Sequence, residues 1–217
     1  MTNLRYPVVS IVSLLLLSGC NPDKVTITAY TSDLKSALDG EVVELPLKAT
    51  FSIMGEDKEN QLPRAKSVAI RYLPKDSAIE IAKGTYGKVM TVVTSIPIGS
   101  KVALKKYLEK NHRISMIEVK NNTVKFLPTD MLRKMNKELS KISFMLSVKL
   151  PANHLIFNVI GDSKEKMNLS AIAIFSEKKP YLQFSKDVKK RKSVEIEFKG
   201  TGGSVYNEIA PQFLVKF

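Results

Sequence analysis

Three serine–lysine pairs in this chain have the spacing that sets a lysine amine one helical turn from a serine hydroxyl: Ser32 with Lys35, Ser163 with Lys166, and Ser176 with Lys179. A lysine so placed can take the serine proton and turn the oxygen into a nucleophile, as it does in penicillin-binding proteins. That chemistry also uses S-D-N and K-T-G partner motifs, and the chain has neither. In a lysine-rich sequence three such pairs read as coincidence, and none opens a long apolar helix. No G-x-S-x-G elbow places a serine on a strand-to-helix turn. The two histidines are His112, in Asn111-His112-Arg113, and His154, after Pro151-Ala152-Asn153. Neither has a second His or Cys at metal-ligand spacing, so both read as loop histidines.

Phosphate loops fail in the same way. Gly99-Ser100-Lys101 lacks the upstream glycine of a P-loop. The glycine-rich turn at 200–203 reads as a hairpin turn with, at most, a small anion nest. Glu195 and Glu197 share a strand face opposite Val194, Ile196 and Phe198, which reads as a solvated face. No catalytic residue, metal ligand or cofactor is expected. One cationic run remains at residues 186–192, where Lys186, Lys189, Lys190, Arg191 and Lys192 crowd together. It reads first as a solvated hairpin turn and second as a contact for an anion.

The remaining chemistry belongs to Cys20, the only cysteine in 217 residues. A single thiol can form no internal disulfide. It follows one early cation, Arg5, then an apolar run at 8–17, then Leu17-Ser18-Gly19. At about ten residues the run falls well short of the roughly 20 that span a bilayer. This order resembles the lipobox signal of bacterial lipoproteins. The resemblance covers only this segment, and the family of the remaining chain is not identified from it. It implies that residues 1–19 are a signal peptide that is removed. It further implies an S-diacylglycerol group and an N-acyl group on Cys20, and a membrane contact through that anchor. Asn21 follows the cysteine where inner-membrane lipoproteins typically carry aspartate, so the resemblance points to the outer membrane. Several acyl chains suit stable anchoring, since each buried methylene contributes only about 0.8 kcal/mol.

Beyond the signal, composition constrains the class. The chain has 34 Lys+Arg against 21 Asp+Glu, a net charge of +13, and 44% hydrophobic residues. That is enough apolar content and length for one good core or two small ones. Strong basicity fits nucleic acid, anionic lipid headgroups, lipopolysaccharide phosphates or solvation. An export signal and the lack of tryptophan, with aromatics at 7%, argue against nucleic acid.

The elements that would carry these groups follow from periodicity. Val25, Ile27 and Ala29 alternate with Thr26, Thr28 and Tyr30 as in a half-buried strand, leaving residues 20–23 as a short tether. Val43, Leu45, Leu47, Ala49, Phe51 and Ile53 mark a second strand, with Pro46 near an edge or bulge. Leu62, Ala65, Ala69 and Tyr72 recur at helical spacing. Ser100 and Thr129 can each cap a further helix, the last with a Met131, Met135, Leu139 stripe that reads as core. Hairpins are expected around residues 83–87 and at Asn121-Asn122. From Lys141 onward, Ile142, Phe144, Leu146, Val148 and Leu150 alternate as a strand, with more strands after it.

The expectation is an α+β chain: antiparallel sheets with about three amphipathic helices in the first two-thirds, and a β-rich, sandwich- or meander-like C-terminal third. The division falls at 24–140 and 141–217, with the sheet able to continue across it. The function expected is that of a lipid-anchored, non-enzymatic envelope protein with a structural or interaction role in the periplasm or at the cell surface. Its partner is an envelope protein or an anionic envelope component. The alternatives are a binder of lipopolysaccharide, lipid or glycan, and a cell-wall or lipid hydrolase.

Overall fold

The computed structural model describes residues 23–54, 60–85, 87–143, 146–148, 154–199 and 210–217. Period-two burial sets the first strand, β1 (Lys24–Tyr30), where Val25, Ile27 and Ala29 are buried and Lys24 and Tyr30 exposed. The chain continues through α1 (Thr31–Leu38), β2 (Val43–Met54), α2 (Gln61–Tyr72), β3 (Ala78–Lys83), β4 (Gly87–Gly99) and α3 (Lys101–Lys110). Then come β5 (Ser115–Lys120), β6 (Thr123–Pro128), α4 (Asp130–Leu139) and β7 (His154–Ile160). Four strands complete it: β8 (Met167–Ser176), β9 (Lys179–Val188), β10 (Ser193–Lys199) and β11 (Gln212–Lys216).

Nine of these strands form a closed ring in the order β10, β7, β1, β2, β4, β5, β6, β11, β8, with β8 returning to β10. β3 pairs only with β4, and β9 only with β8, so both lie off the ring. This overturns the expected α+β architecture with a sandwich- or meander-like end. Strands hold about half of the described residues, and the four helices are short. Strands from both sides of residue 140 build one wall: β1 pairs in parallel with β7 from Val25↔Leu155 to Tyr30↔Ile160. Alternation reveals which face of a strand is buried, but the same pattern serves an open sheet and a closed one.

The inward residues fill the barrel. Ile27, Leu45, Ile96, Ile98, Ile117, Phe126, Leu155 and Phe157 are fully buried, and Phe157 meets Phe213 edge-on at 5.1 Å. Lys24, Thr26, Thr28, Lys48 and Thr50 lie on the outer side around a shallow groove. No helix among the described residues is long and apolar enough to cross a membrane.

Helices stopper the barrel. α1 follows directly from β1 and buries Leu34 and Ala37 at the end where β1 finishes. α2 and α4 lie at the other end. Their Ala65, Val68, Leu132, Met135 and Leu139 form a second cluster with Leu146. α3 joins β4 to the parallel β5. Its N-cap Ser100 accepts from Ala103 N–H at 3.3 Å, and its Tyr107 hydroxyl donates to Glu44 on the outer wall.

The strand expected from Lys141 does not form among the described residues. Residues 141–142 turn, and 146–148 have no regular partner strand. Asn136 on α4 takes that role: its side-chain amide donates to Val148 O and its oxygen accepts from Val148 N–H, both at 2.8 Å. Leu146 thereby packs against the helices. Phe144 and Leu150 lie outside the described residues.

Asn136→Ala would leave both Val148 backbone groups unpaired in a half-buried place. At about 1 kcal/mol per lost hydrogen bond and more for the stranded groups, the expected cost is about 2–3 kcal/mol. Urea unfolding should show a lower midpoint with an unchanged slope.

Candidate functional site

The cationic run sits on a turn that the sequence holds in one shape. Lys189 to Lys192 link β9 to β10, with Lys192 N–H bonded to Lys189 O at 3.0 Å and Arg191 at a positive φ of 61°. The turn is fastened to Gly161, which follows β7: Arg191 N–H donates to Gly161 O at 2.7 Å, and Gly161 N–H to Lys192 O at 2.8 Å. A Cβ on Gly161 would stand 2.2 Å from Lys189 O, so only glycine allows this approach. Lys189, Lys190, Arg191 and Lys192 all project into solvent from this fixed turn. Lys186, three residues earlier on β9, is instead engaged by Glu177 at 2.7 Å.

Next to Gly161, Asp162 fastens the neighbouring helix. α1 begins after Tyr30, whose side chain supplies no cap, although Asp33 accepts from Tyr30 N–H at 2.8 Å. Asp162 supplies the missing cap from another part of the chain. Its Oδ1 accepts from Ser32 N–H at 3.0 Å and from Thr31 Oγ1 at 2.7 Å, and its Oδ2 accepts from the Ser32 hydroxyl. Burial pushes the Asp162 carboxyl up, but the donors from Ser32 and Thr31 outweigh it and hold the group below its ordinary value. Lys35 meets Glu165 at 2.5 Å in the same loop. Ser32 and Lys35 are thus each bound to a different carboxylate. Ser163 donates to Glu165 O, and the buried Ser176 donates to Glu195 O at 2.7 Å.

His154 opens β7, and sequence reasoning missed its partner. Glu197 is 4% exposed, not solvated. Its Oε1 contacts His154 Nε2, and its Oε2 lies 3.2 Å from Lys199 Nζ, which stands 4.8 Å over the Phe175 ring. The carboxylate lies at the β8–β10 seam, where its register partners are Phe175 on one side and Ile156 on the other. Both carboxylate oxygens are thereby engaged by cationic or histidine nitrogens, an arrangement suited to neutralising a buried charge. His112 is exposed on the loop before β5.

Between the wall and α2/α4 lies a void of about 80 Å³, lined by Val25, Phe51, Leu62, Ala65, Met90 and Met135. It is smaller than the 150 Å³ apolar cavity known to admit benzene. It is the imperfect joint of two clusters. Beside it Tyr107 and Arg113 gather on Glu44, where burial first and the Glu44 hydrogen bond second push the tyrosine up to about 12. Among the described residues no three of His, Cys, Asp and Glu converge as metal ligands. Cys20 and the glycine turn at 200–203 lie outside the described residues.

No known family, curated protein or solved structure matches this chain. Its own geometry is therefore the ground for a functional reading. The feature that stands out is the fixed basic turn, with the exposed strand β9 leading into it.

Because the Asp162 carboxyl is held low, its stabilising effect is complete above the ordinary aspartate range near 4 and is lost as pH falls through the lowered value. Asp162→Ala should cost about 1 kcal/mol at neutral pH, as loss of a helix cap does. It should also remove part of the acid sensitivity, as read by the urea midpoint at pH 7 and at pH 3.

Proposed function

We propose that this chain is a lipid-anchored, non-enzymatic interaction protein of the bacterial cell envelope. In this reading Cys20 carries the lipid, most consistently in the outer membrane, and the barrel presents β9 and its basic turn to an acidic, extended segment of a partner envelope protein. The observation that carries the reading is the opposition of the two ends of β1. The described chain starts at Asp23 beside Lys24, while the basic turn neighbours the Ile160 end of β7, level with Tyr30. Seven strand residues at about 3.3 Å each separate them by about 20 Å. An anchor at one end leaves the other directed away from the bilayer.

β9 suits the partner's chemistry. Among the described strands it pairs only with β8, so one edge carries open backbone donors and acceptors. Pro180 and the lysines of β9 deter pairing with a like edge, whereas its remaining backbone groups can accept an added strand of opposite charge. Leu182 is 87% exposed and Ile172, on the adjoining strand, 70%. Lysines 179, 189, 190 and 192 with Arg191 surround this edge, and Asp187 is the only acid within β9 and the turn. Such a field favours an acidic strand and speeds its encounter.

The test is a photocrosslinking side chain at position 182 in intact cells grown with labelled palmitate. The expected product is a discrete adduct that carries the palmitate label, contains an acid-rich segment of the partner, and disappears with Lys189→Glu and Lys190→Glu together. An adduct indifferent to that charge reversal, recovery of lipid or glycan alone, or label that persists in Cys20→Ala would contradict the reading.

A further inference from the structure

The opposite end of the barrel carries its own unassigned surface. α2 and α4 stopper the mouth where β1 begins, and Val25 lines the same void as Leu62, Ala65 and Met135. With their apolar stripes turned inward, the two helices place Arg64, Arg71, Arg133, Lys134 and Lys137 on the exposed side. Lys66 is half-buried at the margin. The only acids on these helices are Asp130 and Glu138. Glu138 is occupied by the Tyr72 hydroxyl and by Arg71, which together hold its carboxyl low. Ile70 is 57% exposed on α2, one helical turn from Lys66. Basic residues around a bare apolar one are the composition of a helix face that rests on a lipid interface.

The chain path decides what covers this face. Asp23 N–H is fixed to Thr50 O at 2.8 Å, so the described chain enters the wall at the helix-stoppered mouth. Three extended residues reach about 10 Å, which is as far as Cys20 can stand from Asp23. We infer that the exposed face of α2 and α4 docks on the anionic phospholipid headgroups of the leaflet that holds Cys20, with Arg64, Lys134 and Lys137 on phosphates and Ile70 entering below them. This inference rests on the anchored reading for its leaflet, but the surface acts through its own residues. Docking in this way stands the barrel on end. It turns the tether from a loose leash into a fixed orientation and directs the basic turn at residues 189–192 into the aqueous space.

Distance separates this from general stickiness of a basic protein. The Debye length at physiological salt is about 8 Å, and the turn at the far end lies about 20 Å further from the bilayer along β1. Cations there should contribute almost nothing.

The test uses the chain from residue 20 onward, which contains every described strand and helix, with Cys20→Ala so that no lipid is attached. Its flotation with vesicles of phosphatidylethanolamine containing roughly one-quarter phosphatidylglycerol is compared with pure phosphatidylcholine vesicles. Binding is expected only to the anionic vesicles. Arg64→Gln with Lys134→Gln should lower partitioning about thirty-fold, the effect of two interfacial cations. Lys189→Gln with Lys190→Gln, equal in charge, should change it less than about two-fold, and Ile70→Ser should lower it without any change of charge. Circular dichroism of each variant establishes that it is folded. Equal losses from both glutamine pairs, or no preference for anionic vesicles, would overturn the inference. Because no lipid is attached in this assay, its failure is separate from failure of palmitate labelling at Cys20.

Discussion

Closure of the wall depends on β8, which pairs with β11 through residues 168–170 and with β10 at Phe175. Ala173 stands between the two pairings at a positive φ of 51°. Before it Met167, Leu169 and Ala171 point inward. After it Ile174 and Ser176 do, so the strand changes its inward parity at that residue. A left-handed alanine costs about 1–2 kcal/mol, which the surrounding pairings offset. Without this shift β8 could not keep its buried face toward the core while serving both β11 and β10. The seam is narrow, since β10 and β8 share one register pair, and the buried Glu197 lies in it between His154 and Lys199.

A closed wall makes the two mouths different places. One is stoppered by α1, pinned by Asp162, next to a turn that Gly161 holds rigid. The other is stoppered by α2 and α4, with the described chain entering beside it. Because β1, β7 and β10 run between the two mouths in fixed register, whatever restrains one end aims the other. The cations are also sorted: those of the turn and those of the helices sit on opposite ends and act on different surroundings. The proposed function and the proposed membrane face both follow from that sorting. Net charge alone would have allowed all of it to act together.

Local structure was legible because it is written in local chemistry. Ser100 and Thr129 accept from backbone N–H groups at the starts of α3 and α4, as their residue types imply. Asn121 and Asn122 take left-handed backbone between β5 and β6, as hairpin turns require. Closure was not legible, since the parallel pairing of β1 with β7 joins residues about 130 apart and leaves no periodic mark. The alternation from Ile142 to Leu150 misled because Asn136 intercepts Val148, and a side chain standing in for a strand has no sequence period. Glu197 misled because it lies at the β8–β10 seam, where Phe175 from an earlier strand is its register partner, and a seam of that kind leaves no sequence period. α1 was missed because its cap, Asp162, comes from the far side of the chain. The cationic turn was visible as composition, but its rigidity depends on Gly161, whose role appears only when the two segments meet.

The wall closes at the β8–β10 seam, and a disulfide across that seam tests closure most directly. Phe175 and Glu197 are register partners, and antiparallel partners have Cα atoms about 4.5–5.5 Å apart, within disulfide reach. In a Cys20→Ala background, Phe175→Cys with Glu197→Cys makes these the only thiols. A closed barrel predicts that mild oxidation removes both thiols within one molecule, with native circular dichroism and a higher unfolding midpoint. Two thiols that stay free to react with maleimide in the folded protein would contradict closure.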